Sequence, residues 1–182
     1  LWGATLRSPH PYARIISIDT TAALLISGVS VVITAQDVPG KATYGLISAD
    51  QPVFASDFVR YMGEPVAAVA ADHPETCRRA LAAIIVNYEV LTPVVDPELA
   101  MLVTTEQIHP DGNLIRHQKI ICGDPHISGD ITVEGHYTIG MQDQAFLGLE
   151  AAMAFPDSGG NGVELHIATQ WLHEDRGQIA AC

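Results

Sequence analysis

Two apolar stretches of strand length limit what this chain can fold into. Residues 29–34 (VSVVIT) are rich in β-branched side chains, and residues 66–71 (VAAVAA) carry no polar side chain. Short runs of this kind, with turn residues beside them, are typical of strands that are buried within a sheet. The sequence therefore predicts a sheet core in the first half of the chain.

Further strands and two short helices are predicted around these runs. β-branched and alternating apolar residues favour strands, whereas Thr20 and Pro74 are residue types that often start helices. Strands interleaved with short helices indicate a domain of the α/β or α+β class that ends near residue 95. The expected strands are residues 4–7, Ala13–Asp19, 58–61 and 84–88, and the expected helices are residues 20–25 and 74–82.

The second half begins with a segment that has no clear period. Residues 96–129 contain the turn clusters HPDGN and GDP and are longer than an ordinary loop, which indicates a linker. The stretch PDSGGNG is a hairpin signal between two of the strands predicted beyond it. A terminal helix is predicted to begin near Trp171. The strands predicted here are residues 131–139, 150–155 and 163–168.

Both ends of the chain read as interrupted. Leu1 already lies in strand-like sequence, and HEDRGQIAAC at the other end lacks the Gly or Pro that usually stops a helix. We therefore expect the 182 residues to be part of a longer polypeptide.

The charge balance excludes one large class of function. The formal net charge is −12, from 21 acidic and 9 basic residues, whereas nucleic-acid-binding proteins normally carry a basic surface. The longest mostly apolar run, residues 22–35, is interrupted by polar residues and is too short to cross a bilayer. We therefore expect no nucleic-acid partner and no membrane segment.

The cysteines and histidines do not form a metal-binding pattern. Cys77, Cys122 and Cys182 are widely spaced and odd in number, which argues against a disulfide framework or a cysteine-ligated cluster in this chain. The same usage favours a reducing compartment, so we expect a cytoplasmic protein. The 8 histidines show none of the spacings of zinc sites, and PGKATYG lacks the ending of a phosphate-binding loop. No metal ligand is therefore predicted.

Three consecutive polar residues, Gln142, Asp143 and Gln144, interrupt an apolar part of the second half. Their neighbours, such as Met141 and Phe146, are apolar or small. A polar loop that faces water is one explanation of the triplet. The other is a side-chain amide held in a cavity, where its N–H donors would suit stabilisation of an anionic oxygen ligand. The triplet is therefore the candidate functional site.

Several phrases, in order, resemble one known protein family. LRSPHPYARIISIDTTAAL, GVSVVITAQDVPG, QPVFASDFVRYMGEPVAAVAA and VNYEVLTPVVDPELA resemble the α/β-hammerhead domain of the large, molybdopterin-binding subunit of molybdenum hydroxylases, the xanthine dehydrogenase and aldehyde oxidase family. MQDQAFLGLEAAMAFPD and ATQWLHEDR are similar to the domain that follows it. The sequence of these two stretches most resembles the hypoxanthine or purine oxidase branch of the family, which includes selenium-dependent hydroxylases. The chain is identified as a fragment of such a subunit.

The resemblance implies a fold and its divisions. The implied fold is α+β, in which an α/β-hammerhead domain is followed by the truncated start of the molybdenum-binding domain, with a mixed sheet and a helix. The implied bounds are 1–97 for the hammerhead domain, 98–129 for an interdomain linker and 130–182 for the N-terminal part of the molybdopterin-binding domain.

The resemblance also implies a chemistry. Enzymes of this family insert a water-derived oxygen at an electron-poor C–H carbon, in this branch of a purine such as hypoxanthine or xanthine. The full-length enzyme uses molybdenum-molybdopterin, and electrons leave through 2Fe-2S clusters and FAD on other domains or subunits. In xanthine-oxidising members, a glutamine at the position of Gln142 hydrogen-bonds an oxygen ligand of the molybdenum. Gln142 is therefore the predicted catalytic and cofactor-binding residue.

The sequence departs from the family pattern beside this glutamine. Asp143 and Gln144 stand where family members commonly have Glu and His. Gly148 stands where they commonly have Glu, with Glu150 two positions on. Only Gln142 is therefore carried over, whereas Asp143, Gln144 and Glu150 are expected to be loop or supporting groups, and the exact purine stays open.

Two classes of function follow from these observations. In the first, the chain is part of an enzyme, but the 182 residues alone bind no cofactor and are inactive, because most cofactor contacts in the family lie in later sequence. Its partners are then the remainder of the molybdenum subunit, the iron-sulfur and FAD domains or subunits, and the purine. In the second, the chain is a non-catalytic scaffold or assembly module that packs against partner subunits. A small-molecule binding protein unrelated to molybdenum is a third reading, which requires the ordered phrases to be coincidence.

Overall fold

The computed structural model describes most of the chain as two compact units. The described residues are 1–102, 104–109, 111–124, 126–127, 129–143, 145, 147, 150–160 and 162–182. The first unit comprises Leu1–Pro93 together with Trp171–Cys182, and the second comprises Val94–Gln170. These units are defined by contacts in the structure. The domain bounds that the resemblance implies are not tested by this division and stay a prediction.

Most of the regular elements lie in the first unit. They are β1 (Trp2–Arg7), β2 (Ala13–Asp19), α1 (Thr21–Leu24), β3 (Val29–Thr34), β4 (Thr43–Tyr44), β5 (Gln51–Pro52), β6 (Phe58–Val59), β7 (Pro65–Ala71), α2 (Pro74–Ala83) and β8 (Ile85–Val90). The second unit contains α3 (Pro97–Ala100), β9 (Ala152–Pro156) and β10 (Val163–Ile167), and α4 (Leu172–Ala181) belongs to the first unit. A single 3₁₀ turn, Ala35–Asp37, follows β3.

The apolar strand β7 lies at the centre of the main sheet. It pairs antiparallel with β1 on one side and with β3 on the other, so that Ala71 is opposite both Trp2 and Val29. Its side chains are buried on both faces except at Pro65, Ala68 and Ala70, which are partly exposed. The run VAAVAA has no polar side chain because this strand is the middle of a sheet.

Helix α2 covers one face of this sheet. Its buried residues Cys77 and Ala80 join Ala67, Val69 and Ala71 of β7 in the main hydrophobic cluster. His73 caps the helix, since its Nδ1 accepts a hydrogen bond from the Glu75 amide at 3.1 Å. The small residues of β7 let the helix lie close to the sheet.

A second sheet in the same unit has β2 at its centre. β2 pairs antiparallel with β6 and with β8. Ala13, Ala55, Val59 and Val66 form its buried cluster. The two sheets and their helices confirm the predicted α+β class, and the predicted strands and helices of the first half are confirmed to within a few residues.

The second unit contains a β-hairpin and a short helix. β9 and β10 pair antiparallel, from Val163 opposite Pro156 to Ile167 opposite Ala152. Asp96 caps α3 by accepting hydrogen bonds from the Glu98 and Leu99 amides. The predicted hairpin is thus confirmed.

The strand predicted at residues 131–139 was wrong for this structure. All of these residues are described, and none is in a strand. A strand requires a hydrogen-bonded neighbour, and the described residues provide none for this segment.

Among the described residues, no helix is long and apolar enough to span a membrane.

Candidate functional site

Gln142 lies in an exposed loop between the irregular segment 129–141 and strand β9. Its side chain is exposed, and its carboxamide makes no hydrogen bond to another described residue. The two N–H donors of this group are therefore not used by neighbouring described residues. Gln142 is placed as a donor that points to solvent in this chain.

Asp143 has a local structural role in the same loop. Its Oδ1 accepts a hydrogen bond from the Ala145 amide at 2.9 Å, as in an Asx turn. Ala145 has a φ of 47°, in the left-handed region that non-glycine residues rarely adopt. Asp143 therefore holds a tight turn directly after Gln142, in agreement with its expected role as a loop residue.

The apolar neighbours of the triplet do not enclose it. Met141 is 104% exposed and Leu147 is 100% exposed. The side chains that would form the wall of the expected cavity thus face solvent, and a cavity around the amide stays a prediction. Glu150 is also exposed. Gln144, which the sequence predicts to be a loop or supporting residue, lies outside the described residues, as do Phe146 and Gly148.

The described residues do not assemble a metal-binding cluster. No group of three or more His, Cys, Asp or Glu side chains among them is arranged to hold an ion. His10 packs edge-to-face on Tyr88 with ring centroids 5.0 Å apart, and His166 pairs with Glu164 at 2.9 Å. His10 therefore has a packing role, and His166 is paired with a carboxylate at the surface.

The three cysteines are free, and only one is buried. The Sγ of Cys77 donates a hydrogen bond to the Trp2 carbonyl at 3.2 Å beneath α2. Cys122 is exposed and Cys182 is partly exposed. Buried in the main cluster, Cys77 contributes to packing.

A buried carboxylate in the first unit was not singled out from the sequence. Glu64 is 2% exposed, and its side chain accepts a hydrogen bond from the Arg60 amide. Its backbone carbonyl accepts from the Ser8 amide at 2.9 Å, and the Ser8 carbonyl accepts from the Gly63 amide at 2.8 Å. Glu64 therefore ties two turns together. The signal in the sequence was a lone Glu directly before the apolar strand that begins at Pro65.

The surroundings of Ser8 extend this tie to the second sheet. The Ser8 hydroxyl accepts from the His10 amide at 3.0 Å. Burial raises the pKa of Tyr88 above its ordinary value, and a hydrogen bond with Ser8 acts in the opposite direction. The prolines of RSPHPYA thus lie in a turn that Ser8 holds through hydrogen bonds of its backbone and its hydroxyl.

A polar groove of about 590 Å³ lies beside β2 and β3 in the first unit. Two carboxylates line it, Asp37 and Asp57. Asp37 accepts hydrogen bonds from the Thr34 amide and hydroxyl, and Asp57 accepts from the Ser56 hydroxyl. Because both carboxylates have local structural partners, the groove offers no evident chemistry.

The family comparison assigns the larger part of the first unit to a known domain. Residues 1–92 match the model of the aldehyde oxidase and xanthine dehydrogenase a/b hammerhead domain. The chain belongs to the aldehyde oxidase and xanthine dehydrogenase family. The predicted family membership is confirmed, and the hammerhead domain accounts for the two sheets described above.

Two curated relatives match almost the whole of this family member. A probable xanthine dehydrogenase subunit of Bacillus subtilis (strain 168) is 36% identical over 183 aligned residues, covering 99% of this chain and 24% of that protein. The nicotinate dehydrogenase large molybdopterin subunit of Eubacterium barkeri is 33% identical, covering 99% of this chain and 43% of that protein. The chain therefore spans less than half the length of either relative.

Solved structures of related enzymes share part of the fold. Aldehyde oxidoreductase from Desulfovibrio gigas is 29% identical with a TM-score of 0.54, covering 59% of this chain and 13% of that chain. Quinoline 2-oxidoreductase from Pseudomonas putida 86 is 32% identical with a TM-score of 0.51, covering 58% of this chain and 14% of that chain. Both support the α+β hammerhead assignment.

Proposed function

We propose that this chain is part of the large subunit of a molybdenum hydroxylase that oxidises a purine such as hypoxanthine or xanthine. The observation that carries the proposal is the match to the probable xanthine dehydrogenase subunit of Bacillus subtilis over 99% of this chain. The match extends beyond the hammerhead domain and therefore includes the Gln142 loop. The reaction we propose is insertion of a water-derived oxygen at a C–H carbon of the purine ring.

Nicotinate is the alternative substrate class that the comparisons bring forward. The relative from Eubacterium barkeri is named for nicotinate and is nearly as similar as the one named for xanthine. Both substrates are electron-poor nitrogen heterocycles, so the same reaction class serves either. We favour the purine because the higher identity is to the relative named for xanthine.

Gln142 is the residue of this chain that we propose to act at the molybdenum-molybdopterin. When bound, that cofactor supplies two-electron oxidation chemistry. The carboxamide is exposed and makes no hydrogen bond to another described residue. It could therefore donate one hydrogen bond to an oxygen ligand of the metal without adding a charge. The described residues form no enclosed pocket around it. Other parts of the protein are therefore proposed to hold the cofactor, and the 182 residues alone are proposed to be inactive.

The partners proposed for the chain follow from the same family. The three free cysteines are spread over the chain and make no cluster site, so 2Fe-2S clusters and FAD are proposed to lie on other domains or subunits. A cytoplasmic location is proposed from the free cysteines. We also propose residues 1–97 as the hammerhead domain, 98–129 as a linker and 130–182 as the start of the molybdopterin-binding domain.

The test is to replace Gln142 in the enzyme that carries this chain. Gln142→Ala is expected to lower kcat for hypoxanthine by about 10²–10³, the usual effect of losing one donor to a developing anion. Gln144→Ala, which removes the same residue type two positions on, is the matched control and is expected to retain activity. Molybdenum content is measured for both variants, so that loss of the cofactor is separated from loss of the donor.

Three results would overturn parts of this proposal. Unchanged turnover in Gln142→Ala would remove Gln142 from the mechanism. Stoichiometric molybdenum in the purified 182-residue chain would show that the chain holds the cofactor without further sequence. A purified enzyme that contains molybdenum and oxidises nicotinate, but no purine, would move the proposal to the alternative substrate.

A further inference from the structure

The irregular segment 131–141 has the residue pattern of a strand with one apolar face. Its odd positions are apolar or glycine, and its even positions are polar or glycine. The apolar side chains are strongly exposed, and Ile139, for example, is 81% exposed. Strict alternation is the pattern of a strand with one face buried. The sequence therefore predicts that these apolar side chains pack against other residues, whereas in the structure they are exposed. The apolar members are Ile131, Val133, Tyr137, Ile139 and Met141.

Contacts within the segment show that its two sides are already separated. The Thr138 hydroxyl lies 3.3 Å from the Nε2 of His136 on the polar side. On the other side, a Cβ added at Gly135 would lie 2.7 Å from the Tyr137 hydroxyl oxygen. Both contacts join residues two positions apart, as expected when successive side chains point to opposite faces of an extended backbone.

The β9–β10 hairpin presents a matching apolar face and an open edge. Ala152, Ala154 and Pro156 of β9 lie opposite Ile167, Leu165 and Val163 of β10, which makes one face of the hairpin apolar. The other face carries the exposed Glu164–His166 pair together with the apolar side chains of Met153 and Phe155. Among the described residues β9 pairs only with β10, so its second edge is unpaired.

We propose that residues 131–141 add to the open edge of β9 as a third antiparallel strand when the large subunit is complete. Consecutive strands tend to be neighbours, and the turn at Asp143 and Ala145 lies between the two segments. The odd positions of the segment then lie on the same face as Ala152 and Ala154. The three strands share one continuous apolar face, which an apolar surface of the same subunit covers.

This strand addition would position Gln142. In the structure Gln142 follows the segment at once and lies in an exposed loop. A loop side chain samples many rotamers, whereas a donor at the end of a paired strand has a restricted position. Residues 131–141 are thus a positioning element for the donor. This step depends on the proposed function, while the strand pairing itself is measured without turnover.

Pairs of introduced cysteines test whether residues 131–141 pair with β9, and which residues of the segment lie on the same face as Phe155. Phe155→Cys is combined with a cysteine at His136 or Thr138, on the polar face, or at Tyr137 or Ile139, on the apolar face. In the assembled subunit one polar-face pair is expected to form a disulfide, and neither apolar-face pair is. In the 182-residue chain alone, no pair is expected to form one. Equal crosslinking of both sets, or of neither set in the assembled subunit, would overturn the inference.

A matched pair of lysine variants tests the effect on Gln142. Ile139→Lys places a charge on the apolar face, and Thr138→Lys places the same charge on the polar face. Ile139→Lys is expected to raise the rate of hydrogen exchange in residues 131–141 and to lower kcat at least tenfold, with little change in KM. Thr138→Lys is expected to leave both the exchange rate and kcat unchanged. Crosslinking with unchanged kcat in Ile139→Lys would retain the strand and reject its positioning role. Crosslinking in an assembly without molybdenum would retain the strand and reject the proposed function.

Discussion

The buried carboxylate of Glu64 provides a quantitative test of how the hammerhead fold is held together. Glu64→Ala removes the acceptor of the Arg60 amide hydrogen bond, which involves a charged group and is worth about 1.5–3 kcal/mol. It also removes a buried methylene, worth about 0.8 kcal/mol. The variant is therefore expected to lose about 2–4 kcal/mol of folding free energy. Glu64→Gln retains an oxygen acceptor without the charge, and is expected to lose about 1 kcal/mol.

Hydrogen exchange measures this loss where it occurs. Glu64 immediately precedes β7, which pairs with β1, so the opening free energy is followed in peptides from Trp2–Arg7 and Pro65–Ala71. Glu89→Ala is the matched control, because Glu89 is an exposed carboxylate 3.3 Å from Arg14 and such pairs contribute less than about 1 kcal/mol. The reasoning is refuted if Glu64→Ala costs no more than Glu89→Ala, or if Glu64→Gln costs as much as Glu64→Ala.

Two further substitutions test local features of the same unit. Gly28→Ala is expected to lower the free energy of unfolding in urea by about 1–2 kcal/mol, because Gly28 has a φ of 93° and its added Cβ would lie 2.5 Å from Asp72 Oδ1. Gly3→Ala is the control, because its added Cβ would meet open space. Equal effects of the two substitutions would contradict this reasoning. Burial raises the pKa of Tyr88, so the folded protein is expected to lose stability as pH rises from the unfolded value of about 10 through the higher folded value. Tyr88→Phe should flatten that loss in unfolding curves measured above about pH 9, and an unchanged slope would reject it.

The longer strands of the first unit could be predicted because each is specified by its own sequence, whereas the two-residue strands β4 and β5 were not predicted. The apolar run before His73 requires burial on both faces, and the residues His73 and Pro74 define the start of α2. The prediction of Ala13–Asp19 coincides with β2 for the same reason. The order β1–β7–β3 was not accessible, because pairing between distant strands depends on packing rather than on local pattern.

The candidate site could be predicted only as a residue type in a short stretch. The sequence identified three polar residues, and the resemblance selected Gln142, but neither shows what surrounds its amide. Residues 131–139 illustrate the limit, since their alternation is real and yet no described neighbour pairs with them. Local pattern predicts that a strand is possible, whereas its formation requires a partner edge and a cover for the apolar face.

The role of Glu64 was missed for a related reason. A Glu between Gly63 and Pro65 resembles a solvated turn residue, and charged residues are rarely buried without a partner. Here the Arg60 amide provides that partner, and it lies only four positions earlier in the chain. The hydrogen bond depends on how the turn folds, which composition and periodicity do not show.

The most direct test of the central claim is oxidation of hypoxanthine by the assembled enzyme in isotopically labelled water. Molybdenum is quantified in the same preparation, and the Gln142→Ala and Gln144→Ala variants are assayed beside the parent. The account predicts molybdenum in all three, label from water in the oxidised purine, and loss of about 10²–10³ in kcat for Gln142→Ala alone. Full activity in Gln142→Ala, or product oxygen that does not come from water, would contradict it.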